Sequence, residues 1–423
     1  MNVPKVSQPR VVIVGGGFAG LKLARSLRSD RYQIVLIDKN NYHTFQPLLY
    51  QVATAGLEPD SIAYPIRKAF IGKENFYFRV ANAIEVKPEE KVLETTIGPI
   101  DYDYLILAMG SSTNYYGNAQ IEALSMPMKS VPEALNLRSL ILQNFEASLL
   151  TDDLTERERL MNYVIVGGGP TGVELAGALS ELKKHVLPND YPDLDIRRMT
   201  VHLVQGADRL LPGMSVKSST EAFDFLKKME VEIWIDHQVL GYDGKAVRTD
   251  KAVIQAGTVI WAAGVRGAIL PGFPNEAYAR GRYVVDRYHR IEGCHRVFAL
   301  GDIAFMQEGV NHPGHPQVAQ AAIQQAVNLS KNLNRGIDEK LWKPFTYKDK
   351  GSMATIGRNK AVVDIGRFHS KGLIAWYLWM FVHLVTLVGF KNRMVALMNW
   401  MVSYVRYDKG IRLIIRPFER KTV

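Results

Sequence analysis

Short, unbroken apolar runs that stop at glycine or at a polar residue alternate with amphipathic stretches through most of this chain, until a denser apolar texture takes over near residue 372. The first run, Val11 to Val14, is wholly β-branched and leads straight into Gly15, Gly16 and Gly17, with Gly20 three residues on. That order predicts a strand buried on both faces, a tight turn and the start of a helix. Tyr32 to Ile37 reads as a second buried strand that ends at Asp38, and Tyr104 to Gly110 as another that closes on small residues. Between them, residues 76–100 alternate apolar and polar side chains with turn signals at Lys87-Pro88 and Gly98-Pro99, which predicts a small antiparallel insert. Residues 132–162 carry helical periodicity with many charges, as a surface crossover does.

At Tyr163 the opening texture returns as Y-V-I-V-G-G-G-P-T-G-V-E-L, and the run after it, Thr200 to Val204, stops at Gln205. The repeat reaches beyond the glycines. Ala108 lies 93 residues after Gly15, and Ala262 lies 95 residues after Gly167, each inside a small-residue turn that closes a strand. Two unrelated glycine turns have no reason to share that second spacing. In each copy the glycines fall at G-x-G-x-x-G: Gly15, Gly17 and Gly20, then Gly167, Gly169 and Gly172. The first serves the turn, the second a close backbone approach to a pyrophosphate, and the third the packing of helix on strand. Asp38, about twenty residues on at the tip of strand two, stands where such a fold grips ribose hydroxyls; Gln205 is the neutral counterpart in the second copy, with Arg209 nearby as a phosphate partner. The chain is therefore read as α/β, with two tandem Rossmann-type dinucleotide-binding domains. A discontinuous first domain is expected over 1–117 and 286–335, a second over 118–285, and a C-terminal region over 336–423.

Downstream, Val297 to Ala299 is a further apolar strand ending at Leu300-Gly301-Asp302, and a helix is predicted from Gln317 to Asn332. Gln317, Gln320 and Gln324 then share one helix face, interleaved with alanines that let a planar group approach. The same pattern suits a solvated amide face. Leu373 to Phe390 holds 18 residues with only His383 and Thr386 polar, near the lower limit of the roughly 20 needed to cross a bilayer. Met394 to Val405 follows, amphipathic, with Asn399 and Ser403 at i, i+4. Both are rich in Trp or Tyr and flanked by basic residues, which fits a helical membrane anchor lying at the interface; a hydrophobic dimer interface has the same look.

Composition narrows these readings. Residues 391–423 carry eight Lys/Arg against two acids, so +6 of the net charge of +10 sits there. Large apolar side chains beside that charge suit an anionic membrane surface and not nucleic acid. Cys294 is the single cysteine, which excludes paired-thiol chemistry and with it disulfide reductases and sulfide:quinone reductases. No metal-ligand spacing occurs, and the residues before the first strand lack the apolar core of a signal peptide, so a cytoplasmic protein is expected.

The tandem V-G-G-G-F-A-G and V-G-G-G-P-T-G-V-E loops, the Y-H-T-F-Q-P-L-L-Y-Q-V-A segment, the L-G-D turn, A-Q-A-A-I-Q and the W-x-x-x-x-V-H-L tail with F-K-N-R resemble the type II NADH dehydrogenases. These are non-proton-pumping, FAD-containing NADH:quinone oxidoreductases of respiratory membranes, with a disulfide-reductase-like flavoprotein fold. The resemblance runs through the whole chain in order. It implies that the first loop and Asp38 hold FAD and that Asp302 contacts its ribityl or phosphate region. It implies that the second loop binds the nicotinamide dinucleotide, with Glu174 near the nicotinamide in substrate binding and proton handling. Gln320 and Gln324 match residues beside the flavin at the quinone pocket. NADH-specific members mostly carry Glu where this chain has Gln205, and members with a neutral residue accept NADPH. The partners so implied are a quinone and membrane lipid, with a homodimer compatible, on the cytoplasmic face of the inner (cell) membrane as a peripheral or monotopic protein. A soluble-partner NAD(P)H flavin reductase, or a nucleotide-sensing membrane scaffold with an idle flavin, are the competing functions.

Overall fold

The computed structural model describes residues 2–307, 314–336, 339–406 and 412–419; part of the basic tail, with Asp408, Lys409, Arg420 and Lys421, lies outside the described residues. The principal elements of the first half are β1 (Arg10–Val14), α1 (Phe18–Ser26), β2 (Gln33–Asp38), β3 (Phe76–Val80), β4 (Tyr104–Leu107), α2 (Val131–Leu149), β5 (Asn162–Val166), α3 (Pro170–His185) and β6 (Thr200–Gln205). There follow α4 (Val216–Lys228), β7 (Val231–Ile235), β8 (Thr258–Trp261), β9 (Val297–Ala299), α5 (Ala319–Arg335), β10 (Ser352–Gly357), β11 (Lys360–Ile365), β12 (Phe368–Lys371), α6 (Gly372–Thr386) and α7 (Phe390–Arg406).

Two compact units divide the chain. The first is Met1–His43, Tyr64–Ser112 and Val265–Asp349. Its sheet runs β9-β4-β1-β2-β3, parallel throughout, with Val12 opposite Val35 and Leu105. Val11, Val12 and Ile13 are fully buried, as a strand covered on both faces requires. The segment 76–100 differs from the expected insert: its first strand, β3, is the parallel edge of this sheet, and only residues 83–101 form the antiparallel hairpins.

The second unit is Thr44–Ala63, Thr113–Gly264 and Lys350–Val423. Its sheet repeats the first in order: the short strand Met126–Pro127, then β8-β5-β6-β7, again parallel. The charged crossover is two helices, α2 and Leu154–Met161, because Ser130 and Asp153 each start a helix by accepting a backbone N–H. These units follow other boundaries than the three expected domains. Residues 265–285 join the first unit, where Arg282–Val285 pairs in parallel with Ala304–Met306. Residues 350–423 do not stand apart but belong to the second unit, where the antiparallel sheet β10-β11-β12 lies so close on α3 that a side chain at Gly177 would stand 1.7 Å from the Ile356 carbonyl.

The apolar run from Leu373 makes a shorter helix than its sequence suggests. α6 has 15 residues, about 22 Å, because Leu387 is extended and Gly389 adopts φ +91°. Among the described residues no helix is long and apolar enough to cross a membrane. Both terminal helices show apolar faces to solvent: Ile374, Tyr377, Phe381 and Val385 on α6, and Met394, Met398, Met401 and Val405 on α7, at helical spacing. Asn392, Asn399 and Trp400 of α7 point the other way. Asn392 donates to the Asp60 and Ala63 carbonyls at 3.0 Å, and the Trp400 indole donates to Gln51 at 2.8 Å.

Candidate functional site

The two glycine loops have the same atomic design. Gly15 (φ +104°) and Gly167 (φ +114°) turn the chain where only glycine is at ease. A side chain there would lie 2.3 Å from the Ala108 carbonyl oxygen, or 2.5 Å from that of Ala262. The second spacing in the sequence is thus a contact, each small-residue turn closing against the first glycine of its own loop. Gly20 and Gly172 pack the helix on that turn, since an added Cβ would sit 1.8 Å from the Gly15 oxygen and 1.9 Å from the Gly167 oxygen. Gly17 and Gly169 behave differently: nothing lies within 4 Å of an added Cβ, and as N-caps they offer α1 and α3 no side-chain bond. Each helix therefore begins without a side-chain cap and with an open face, which is the form of an anion seat.

Strand two ends in a polar clamp in both copies. In the first, the Gly16 N–H donates to Asp38 Oδ2 at 2.6 Å and the Asn40 N–H to Oδ1 at 2.7 Å. Burial outweighs these bonds and holds the Asp38 carboxyl above the usual carboxylate range. In the second, the Gly168 N–H donates to Gln205 Oε1 at 2.8 Å. The amide takes over the structural bond of the acid but brings no charge. Arg209 follows it, donating through Nη2 to the Pro212 carbonyl at 2.9 Å while Nη1 is buried without a partner among the described residues.

Asp302 lies in the first unit, at the end of β9. Ser111 Oγ donates to its Oδ2 at 2.5 Å, and Gln317 Nε2 donates to its backbone oxygen at 2.8 Å. Gly301 beside it (φ +75°) faces Ala19 of α1 and Ala322 of α5, and its N–H donates to Gln325 Oε1 at 2.6 Å. His43 packs under the loop edge-on to Phe18, with Nδ1 2.9 Å from the Gly16 oxygen; its buried Nε2 has no partner among the described residues. Ser111, Gln325 and His43 escaped sequence reading because each acts through a fold contact distant in the chain. An open loop face, a strand-tip carboxylate and an orphaned buried imidazole nitrogen together suit a dinucleotide cofactor such as FAD.

The glutamine face is only partly as expected. α5 starts at Ala319 after the extended N-cap Val318, so Gln317 precedes the helix and does not share its face. Gln324 is engaged with backbone, donating to the Lys348 oxygen at 2.9 Å and accepting from its N–H at 3.1 Å. Gln320 reaches Asp349 at 3.4 Å.

Glu174, one turn into α3, is only 8% exposed and lines an aromatic cavity of the second unit with Tyr50, Thr355, Trp376, Trp379 and Trp400. Burial pushes its carboxyl up to about 8, and the long bond from the Thr355 N–H, 3.5 Å, does little to oppose that. Gln51 connects two cavity walls, donating to Tyr50 Oη at 2.8 Å while accepting from Trp400. The link between residues 50–56 and residues 376–404 is made by the fold alone. Gly15, Gly17, Gly20, Asp38, Asp302, Gln320 and Gln324 thus fall in the first unit, and Gly167, Gly169, Gly172, Glu174 and Gln205 in the second.

Two equivalent glycine loops on parallel sheets are the design of a class of nucleotide-dependent oxidoreductases, and the family described as Pyridine nucleotide-disulphide oxidoreductase matches residues 9–326. The NDH2 C-terminal domain matches residues 350–406. The chain belongs to the type II NADH:quinone oxidoreductases. It is 37% identical to the type II NADH:quinone oxidoreductase NdhA of Mycobacterium tuberculosis, over 95% of this chain and 88% of that protein. It is 34% identical to the type II NADH:quinone oxidoreductase Ndh of the same organism, over 95% and 89%. The solved structure of NDH2 from Plasmodium falciparum in complex with NADH shares the fold with a TM-score of 0.88 at 21% identity, covering 97% of this chain and all of that one.

Proposed function

We propose that this chain is a peripheral membrane flavoenzyme that accepts hydride from NADH and delivers two electrons to a quinone, without pumping protons. The observation that carries the reading is the doubled loop, two open helix N-termini on one chain, each with a polar clamp at the tip of strand two. When bound, FAD supplies the two-electron chemistry that links nicotinamide to quinone. The protein's own residues hold and orient. Gly15, Gly17 and Gly20 open the start of α1 to the pyrophosphate of FAD, and Asp38 uses its remaining lone pairs for ribose hydroxyls. Asp302, fixed by Ser111, faces the ribityl or phosphate region.

Gly167, Gly169 and Gly172 seat the nicotinamide dinucleotide. The uncharged Gln205, with the spare N–H of Arg209 behind it, lets NADPH serve as a second donor. Glu174, kept neutral by burial, holds a proton in its cavity at neutral pH. Gln320 serves the quinone side, whereas Gln324 acts by fixing the backbone at Lys348. The outward apolar faces of α6 and α7 lie on the cytoplasmic face of the cell membrane, where a quinone is dissolved.

Detergent-purified protein tests this directly. Flavin absorbance should bleach on addition of NADH and recover on addition of a short-chain quinone. A colourless preparation, or a flavin that ignores both NADH and NADPH, refutes the enzyme and leaves a nucleotide-sensing scaffold. Recovery with soluble acceptors alone makes it a reductase of soluble partners.

A further inference from the structure

At the C-terminal end of α3, about 22 Å along the helix from its glycine loop, lies a groove with a volume of ≈ 830 Å³. Three carboxylates line it, and each is engaged. Glu181 accepts the Arg358 N–H, Asp195 pairs with Arg197 at 2.7 Å, and Glu230 pairs with Lys183 at 3.2 Å. Lys184, Lys228 and Lys360 also line it, and no ion pair occupies them among the described residues. They come from three elements, α3, α4 and β11, so no single helix end accounts for their meeting. Burial lowers the His185 imidazole below its ordinary range, Glu181 opposes that, and Lys184, Arg358 and Lys360 add to the lowering.

The groove adjoins apolar surface. Glu181, His185 and Arg358 line both it and the aromatic cavity, and the Arg358 guanidinium lies 4.0 Å above the Tyr404 ring of α7. A ligand that bridges the two needs a negative head and an apolar body. We propose that this groove seats the anionic headgroup of a membrane phospholipid whose acyl chains run onto the apolar side of α6 and α7. The inference rests on the membrane reading above, and goes beyond it by giving the contact a lipid preference and a place.

The flavin-loaded full chain is tested by flotation with two kinds of vesicle, pure phosphatidylcholine and phosphatidylcholine containing phosphatidylglycerol. Wild type should prefer the anionic vesicles. The double variant Lys184→Gln/Lys360→Gln should lose about fivefold per lysine there, roughly 25-fold together, with binding to pure phosphatidylcholine unchanged. A second double variant with the same loss of charge elsewhere, Lys217→Gln/Lys245→Gln, should keep the preference. Wild-type binding by the groove variant on anionic vesicles overturns the proposal. So does an equal loss in the second variant, or a loss that extends to pure phosphatidylcholine. Failure of wild type to float with either vesicle removes the membrane reading itself, and this inference with it.

Discussion

Replacing Glu174 by Gln isolates the cost of burying an acid in the aromatic cavity. Glutamate ordinarily titrates near 4.5, and in the folded chain this one titrates at about 8. Below the first value both folded and unfolded chains are protonated, and pH has no effect through this group. Between the two values the unfolded chain releases the proton while the folded chain keeps it, so stability falls as pH rises, by ~1.4 kcal/mol per pH unit. The loss sums to on the order of 5 kcal/mol and levels off above about pH 8, a large fraction of the 5 to 15 kcal/mol typical of a domain. Glu174→Gln keeps the shape and the contact to Thr355 but cannot ionise. Its stability advantage over wild type should therefore grow with pH across that window and then stop growing. Urea denaturation of the flavin-loaded protein, followed by tryptophan fluorescence, is the assay, because Trp376, Trp379 and Trp400 line the same cavity. Parallel pH dependences in the two proteins would refute the reasoning. The same ionisation predicts that wild-type quinone turnover declines above about pH 8 and that the variant lacks this decline.

Gly20→Ala should yield protein without flavin absorbance, since the new methyl would have to displace the Gly15 carbonyl 1.8 Å away; retention of flavin at the wild-type ratio contradicts the tight loop packing. Gln205→Glu keeps the bond from Gly168 but adds a charge that repels a 2′-phosphate, so the ratio of kcat/KM for NADPH to that for NADH should fall about tenfold or more, and an unchanged ratio would show that the donor is chosen elsewhere. Gln324→Ala should cost about 1 to 2 kcal/mol of stability through its two bonds to Lys348, measured by thermal unfolding, whereas Gln320→Ala should lower quinone turnover while bleaching of the flavin by NADH persists. Equal quinone kinetics for wild type and Gln320→Ala would remove that residue from the quinone side.

Much of this was legible because parallel strands buried on both faces write themselves as unbroken apolar runs. Val11 to Val14 and Tyr163 to Val166 are such runs, and the glycines after them have few alternatives once a carbonyl stands where a Cβ would be. Even the matched spacings to Ala108 and Ala262 were readable before their contact was known. The cavity around Glu174 was not. Its walls come from residues 50–56, 174–186, 355–358 and 376–404, and local periodicity carries no trace of which distant segments meet. The edge strand β3 was misread because an edge alternates apolar and polar side chains much as a hairpin does. The apolar run from Leu373 overstated its helix, since hydropathy is indifferent to the turn at Leu387 to Gly389 that divides it.

The segmented make-up of the two units bears on how the protein is made. Following the chain from its start, one passes between units five times, and the first unit receives its last segment only with residues 265–349. β9, which flanks β4, and the hydrogen bond from the Ser111 hydroxyl to the Asp302 carboxylate, which spans 191 residues, must wait for synthesis to pass residue 300. Until then β4 is an open sheet edge on the ribosome, with the glycine loop formed beside it and no finished pocket behind. The first unit is in this way completed late in synthesis, and a nascent chain interrupted before β9 presents an open sheet edge in place of a smaller enzyme.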